Sequence, residues 1–296
     1  MVYILKIGFM AFLCFGWIMF TTIAYAQQVY QIETSALYYS MDEDDMEEKD
    51  YALGLTFHLA PVNVGKHPLA EAAFMERIGN FSVFGGVMDV DFGSGIEADG
   101  PIYGMQLLYA QPSQPIVAQV HFTKAEADFD APIEADISTD TYGLGIGVYL
   151  RDGLLVTLNY ARSETDLSAT GFSGFEMEHD RFTIDVKWVS ELAKNRAINL
   201  LGEVEIDQFD TETDDGSNTT FGIAADYYLT SHVSLGGGLA LNTGDDEYEE
   251  GESIQARFRA FLHPQFSIEG EYEYFFADNE NADDRKSVAV ALAVRF

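Results

Sequence analysis

The sequence predicts an all-β chain, a single transmembrane antiparallel up-and-down β-barrel of about fourteen strands. Three observations predict it. The closing stretch Lys286–Phe296 alternates with period two. Val288, Val290, Leu292, Val294 and Phe296 share one face, and Ser287, Ala289, Ala291, Ala293 and Arg295 share the other. A soluble strand with that pattern would turn an all-small face toward its core. A barrel wall in lipid instead needs apolar residues outward and small or polar residues toward a wet interior. The second observation is that the connections alternate between short turns and longer loops, and nearly all the longer loops are acid-rich. The third is a mean hydropathy of −0.04 in a chain that is 47% hydrophobic and 14% aromatic, with no apolar run of spanning-helix length after residue 26. Amphipathic strands hide a membrane protein from a hydropathy scale in this way.

The elements follow in order. Met1–Ala26 carries Lys6, an apolar run from Ile7 to Ile23, and Ala24-Tyr25-Ala26 before Gln27, which predicts a secretory signal peptide cleaved there. The single predicted domain then runs from 27 to 296. Strands are expected at Tyr30–Tyr39, Tyr51–Leu59, Phe81–Val90, Pro101–Ala110, Ile116–Lys124, Thr141–Leu150 and Leu154–Ala161. The second half adds Arg181–Val189, Ala197–Asp207, Asn218–Leu229, Val233–Leu241, Ile254–Leu262, Phe266–Phe276 and the closing strand. Acids fill the connections Asp42–Glu48, Asp210–Asp215, Asp245–Glu250 and Asp278–Asp284. The short turns carry Arg151, Lys194, Arg196, His232 and His263 instead. An even strand count puts both termini and every short turn at one rim, and the acidic loops at the other. Aromatic girdles are expected at both interfaces, with Trp188, Phe266 and Phe296 near the turns and Tyr160, Phe182, Tyr274 and Phe276 near the loops.

Charge and cysteine usage narrow the function. Removing residues 1–26 takes away Lys6, one of 16 basic residues, and none of the 49 acids, so nucleic acid is excluded as a partner. Cys14 is the single cysteine and lies in the signal segment, which leaves no thiol for a disulfide, a metal site or a nucleophile. The six histidines show no H-E-x-x-H spacing, and no G-x-S-x-G is present, so neither an enzyme nor a cofactor is expected. His179-Asp180, with Ser168 and Ser173 in the same loop, is the one place to look for hydrolysis. Asp210-x-Glu212-x-Asp214-Asp-Gly216 misses the calcium-loop pattern, because its glycine is one place late and Phe221 stands where a bidentate Glu belongs. No metal site is predicted. The acidic loops are read as solvated surface that raises the local cation concentration.

Inward faces point to a channel. Gly143, Gly145 and Gly147, together with Ser234, Gly236, Gly238 and Ala240, lie opposite apolar residues and predict open space inside. A ring of about fourteen strands is wider than the roughly eight whose lumen side chains can fill. Arg257 and Arg259 are expected inward, across a hairpin from Glu271 and Glu269, with Glu273 beyond them. Arg181, Asp185, Lys187, Glu203, Glu205 and Asp207 form a second mixed set, and together these are the candidate pore-lining charges.

Two stretches carry a resemblance. The closing strand with its terminal Phe296 resembles the C-terminal signature of bacterial outer-membrane β-barrels. The connection from Phe57 to Arg77 holds Pro61-Val62 and then Pro68-Leu-Ala-Glu-Ala-Ala-Phe74, and it resembles the second-strand region of a family of general bacterial porins. That resemblance implies an outer-membrane porin among lipid and lipopolysaccharide. It also implies that Phe296 serves recognition by the barrel-assembly machinery. The expected function is a passive diffusion channel for small hydrophilic solutes or ions, cation-preferring, as a monomer or trimer. The alternative is a non-conducting structural or adhesive barrel. Leu69–Phe74 is expected to form a short helix that plugs or braces the periplasmic rim.

Overall fold

A computed structural model describes residues 29–43, 46–65, 67–93, 96–129, 135–169, 175–193, 196–211, 215–244, 250–277 and 284–296. The expected signal segment lies outside these residues. So do Ser173 and the acidic-loop positions 44–45, 212–214, 245–249 and 278–283.

Fourteen antiparallel strands close on themselves, each paired to its neighbours in sequence, with the first against the last. They are β1 (Val29–Glu43), β2 (Met46–Asn63), β3 (Asn80–Asp91), β4 (Glu97–Ala110), β5 (Ile116–Phe129), β6 (Ala135–Arg151) and β7 (Leu154–Ala169). The ring continues through β8 (Phe175–Ala193), β9 (Arg196–Thr211), β10 (Asp215–Thr230), β11 (Val233–Gly244), β12 (Gly251–His263), β13 (Phe266–Ala277) and β14 (Arg285–Arg295). The seam runs from Glu33↔Arg295 to Glu43↔Arg285. It continues past β14, where Phe296 N–H donates to Ile32 O at 2.8 Å and Phe296 O accepts from Gln31 N–H at 2.7 Å.

The strands outrun their expected lengths at the loop end. β8 has 19 residues and β2 has 18, where about 9–11 tilted residues cross a bilayer. The stretches 125–129, 162–169 and 209–211, expected as loops, continue β5, β7 and β9. Beyond the lipid both strand faces meet water, so acids on either face cost nothing there, and the backbone ladder simply continues. Ring pairs on the outer wall mark the approach to that zone. They are Tyr160–Phe182 at 5.0 Å, Tyr274–Phe276 at 4.4 Å, Phe122–Tyr142 at 5.2 Å and Tyr38–Tyr51 at 5.2 Å. At the other rim the Arg151 guanidinium covers the Trp188 ring at 5.1 Å.

Leu53, Leu55, Leu144, Ile146, Ile223, Leu235 and Leu239 all point outward and are exposed. A belt of that kind is stable only against hydrocarbon. Five register shifts lie near the short turns, next to Tyr30, Tyr149, Glu191, Tyr228 and Phe261. Bulges of this sort add local twist where a barrel narrows to its rim.

The lipid-facing belt makes a measurable prediction. Ile223 is 67% exposed, and Ile223→Arg is expected to destabilise the barrel by roughly 2–4 kcal/mol, as charge at a bilayer midplane does. Arg at the inward neighbour Ala224 is expected to cost less than half of that. Urea titrations of the protein folded into phosphatidylcholine vesicles measure both.

Candidate functional site

The β2–β3 connection, residues 64–79, organises the interior. Its helix is shorter than expected and shifted, α1 (Ala72–Met75). The reason lies before it, where the wall claims the backbone of Leu69. Leu69 N–H donates to Ser231 O at 3.0 Å, and Leu69 O accepts from Arg295 Nη1 at 3.0 Å. Helical bonding is thereby denied until Met75 N–H reaches Glu71 O at 2.8 Å. The helix stops at Arg77, whose φ of 54° reverses the chain. Arg77 N–H and Ile78 N–H close onto Phe74 O and Ala73 O at 3.0 and 2.9 Å. A non-glycine residue in that conformation needs outside support. Arg77 finds it in Asp152 at 2.6 Å and in the Tyr149 ring at 4.7 Å.

The anchors sit around the whole ring. Glu71, 2% exposed, accepts from the Tyr228 hydroxyl (β10) at 2.6 Å and lies 2.7 Å from Lys187 Nζ (β8). The Lys187 ammonium also covers the Phe74 ring at 4.6 Å, and the Phe74 carbonyl accepts from the Tyr149 hydroxyl (β6) at 3.1 Å. His67 meets Glu191 at 2.7 Å on the β8–β9 rim. Arg295 (β14) pairs with Glu33 (β1), stands over the Tyr30 and Phe261 rings at 4.6 Å each, and holds the Leu69 carbonyl. Two clusters of buried apolar side chains lie where the segment meets the wall. One joins Ala72 and Ile78 to Tyr30 and Val62, and the other packs Phe74 against Ala110, Val117 and Tyr149. A segment fixed to β1, β6, β8, β10 and β14 spans the turn-side mouth. It is a plug.

The buried carboxylate is its latch. Burial pushes the Glu71 carboxyl up, but the Lys187 charge and the Lys187 and Tyr228 donors outweigh burial and hold it below the usual carboxylate range. An isolated carboxylate could not be buried there.

The other predicted charges divide between this latch and the wall. Lys187 leaves its expected set to serve Glu71. Asp185 accepts from Asn159 at 2.5 Å and Thr157 at 3.1 Å. Arg181 pairs with Asp207 at 2.8 Å and Glu205 at 3.4 Å. Glu203 stands opposite Asp185 in register. His179 meets Asp207 at 2.9 Å, on the neighbouring strand. Arg257 opposes Glu271, and Arg259 opposes Glu269, in the expected register, with Glu273 opposite Gln255. Arg259 does bond Glu269, at 2.7 Å, but Arg257 turns to Asp226 on the other side, at 3.1 Å. Phe296 contributes main-chain bonds to the seam. Among the described residues no three His, Cys, Asp or Glu side chains group as metal ligands.

The inward glycines are not empty space. A Cβ on Gly143 would fall 1.9 Å from the His121 ring, one on Gly145 2.1 Å from Asn159, and one on Gly236 2.0 Å from Asp226. Small residues on one strand receive the long side chains of the next. Alternation within a single strand cannot show this, because it carries no register.

No protein-family model matches the chain, and no curated protein does. Solved structures do. The outer membrane protein Omp33 of Acinetobacter baumannii aligns with a TM-score of 0.56 at 19% identity, over 91% of this chain and 99% of its own. The CymD monoaromatic hydrocarbon channel aligns with a TM-score of 0.53 at 10% identity, over 90% and 89%. At such identities the likeness speaks for the fold. The fold is the closed β-barrel of bacterial outer-membrane proteins, and the exposed apolar belt matches residence in the bacterial outer membrane.

Tyr228→Phe removes the donor to Glu71 Oε1 and leaves a buried acceptor unmatched, which costs about 1–3 kcal/mol. The plug rather than the barrel is expected to loosen. Trypsin cleavage after Arg77 should accelerate about tenfold or more, while the heat-shifted band of folded barrel on gels stays unchanged.

Proposed function

We propose that the protein is a passive outer-membrane channel for small hydrophilic solutes, held closed at its turn-side mouth by residues 64–79. The observation that carries this reading is the latch. A fourteen-strand ring crossed by one segment, with a buried Glu71–Lys187 pair among its anchors to the wall, supports a conduit with a removable stopper over a solid stave. The resemblance of residues 57–77 to general porins supports the same reading, since its Pro68–Phe74 run lies in the stopper. The acid-rich loop rim favours cations, and a reversal potential toward the cation Nernst value in a salt gradient checks that preference.

Lys187→Met leaves Glu71 buried without its cation. Breaking a buried pair costs roughly 3–5 kcal/mol, with the low end apt because Lys187 is 31% exposed. Planar-bilayer recordings are expected to show stepwise conductance in Lys187→Met and rare openings in the parent. A disulfide between Leu69→Cys and Ser231→Cys, whose backbones are bonded at 3.0 Å, should silence Lys187→Met until reductant is added. A folded, reduced Lys187→Met protein that never conducts would sink the channel reading. The non-conducting structural barrel, which the same plug favours, would then stand.

Acid should open the same latch. Glu71 titrates lower in the folded protein than its ordinary value of 4.5, so its contribution to plug docking is complete above that value. It is lost as pH falls through the lower folded value. Conductance of the parent is expected to rise below about pH 4.5 and to lose that dependence in Glu71→Gln.

A further inference from the structure

Inward charge keeps to one part of the ring. The pairs described above belong to β8–β10, β12–β14 and β1. From β3 to β7 the inward positions hold no Asp, Glu, Lys or Arg among the described residues. Hydroxyls and amides line that arc and bond one another across strands, as Thr139–Thr165 at 3.0 Å, Thr141–Ser163 at 2.8 Å and Gln119–Asn159 at 2.5 Å.

Three inward side chains of the arc are left over from this network. Phe84 (β3) is 37% exposed, alone among the large apolar side chains described on that inner face. Its ring extends over Gly104, its partner in register, where a Cβ would fall 2.6 Å from it. Gln106 (β4), the next inward residue after Gly104, is exposed and stands opposite His121 (β5). The His121 ring lies on Gly143, and neither His121 nor Gln106 hydrogen-bonds through its side chain to another described residue. Ala110 and Val117 pack on the plug, and Gln106 and His121 lie four residues nearer the loops on the same two strands. The patch therefore faces the loop-side lumen while the plug is docked.

We infer that this patch binds the pyranose ring of a neutral sugar, which makes uncharged saccharides the solute class of the channel. An ionic solute finds no counter-charge on β3 to β7. A purely apolar one covers Phe84 but strips water from Gln106 and His121 without replacing its hydrogen bonds. A pyranose satisfies both demands, because its axial C–H groups make an apolar face and its hydroxyls donate and accept around the edge. The ring of Phe84 takes the face, and the Gln106 amide and His121 imidazole each offer a donor and an acceptor to the edge. An aromatic side chain beside a few placed polar groups is the composition of a recognition site. The inference deepens the channel reading and rests on it for the word solute. Binding itself needs no conduction.

The test is saturation-transfer NMR on the folded parent protein in lauryldimethylamine oxide micelles, which contain no sugar, with methyl β-D-glucopyranoside as the probe. Mannitol supplies hydroxyls without a rigid C–H face, and methyl β-D-glucuronide adds a carboxylate to the same ring. Saturable glucoside binding is expected, with both analogues weaker. Phe84→Ala should weaken the glucoside roughly fivefold, the scale of about 40 Å² of apolar contact. Gln106→Ala should weaken it about two- to tenfold, the scale of neutral hydrogen bonds. Leu37→Ala, inward on the charged side of the lumen, should leave it unchanged. Phe84→Leu and Gln106→Asn serve where either alanine variant disturbs folding, which the gel shift of the folded barrel reports. Absence of saturable glucoside binding by well-folded parent overturns the inference. So does equal binding of mannitol, tighter binding of the glucuronide, or indifference to the changes at both Phe84 and Gln106. Failure of the channel reading shows separately, as absence of conductance in the unlatched Lys187→Met protein.

Discussion

Everything in this molecule depends on the pairing of backbone groups where no water can pair them. Hydrocarbon offers no partner to a peptide N–H or C=O, so a sheet in lipid must have no edge. The seam between β1 and β14 meets that requirement, and main-chain bonds to Phe296 carry it past the last strand. Once the ring is closed, side chains are released from the task of holding strands together. The outer face can be purely apolar, and the inner face can carry charges that would be unaffordable in a solvent-free core.

The interior uses that freedom in two ways. Near the turns it builds a small dry core around residues 64–79, with buried apolar clusters and a buried carboxylate. Above it the wall stays polar, with neighbouring strands filling one another's glycine gaps through His121, Asn159 and Asp226. The low-dielectric patch is thus confined to one end. There an ion pair is strong and its loss costly, whereas the charges higher up pair from strand to strand along the wall.

Much of the fold was legible because alternation and turn chemistry are local. Leu53, Leu55 and Phe57 on one side of a strand, and a short turn at Arg151–Gly153, need no tertiary knowledge. The register Arg259↔Glu269 followed from the tight turn at Pro264 alone. What stayed hidden depends on distance in sequence. Tyr228 and Glu71 are 157 residues apart, and Arg295 and Leu69 are 226 apart, so no local pattern links them. Lys187 was assigned to the inner wall by its parity, but nothing in its own strand revealed that it would reach the plug instead of Asp185. The inward glycines misled for the same reason, since only cross-strand register shows which neighbour leans over them. Glu71 alone had a signal. It is the single acid in an apolar run between Pro68 and Met75, where burial without a cation is untenable.

The bond from Arg295 to the Leu69 carbonyl has a consequence for biogenesis. The plug follows the second strand, but one of its anchors belongs to the next-to-last residue of the sequence. Arg295 also holds Glu33 across the seam. The same guanidinium therefore closes the ring and receives the stopper, so the plug cannot complete its docking before the final strand is in place. Docking of this segment is in this sense a report that the ring is closed.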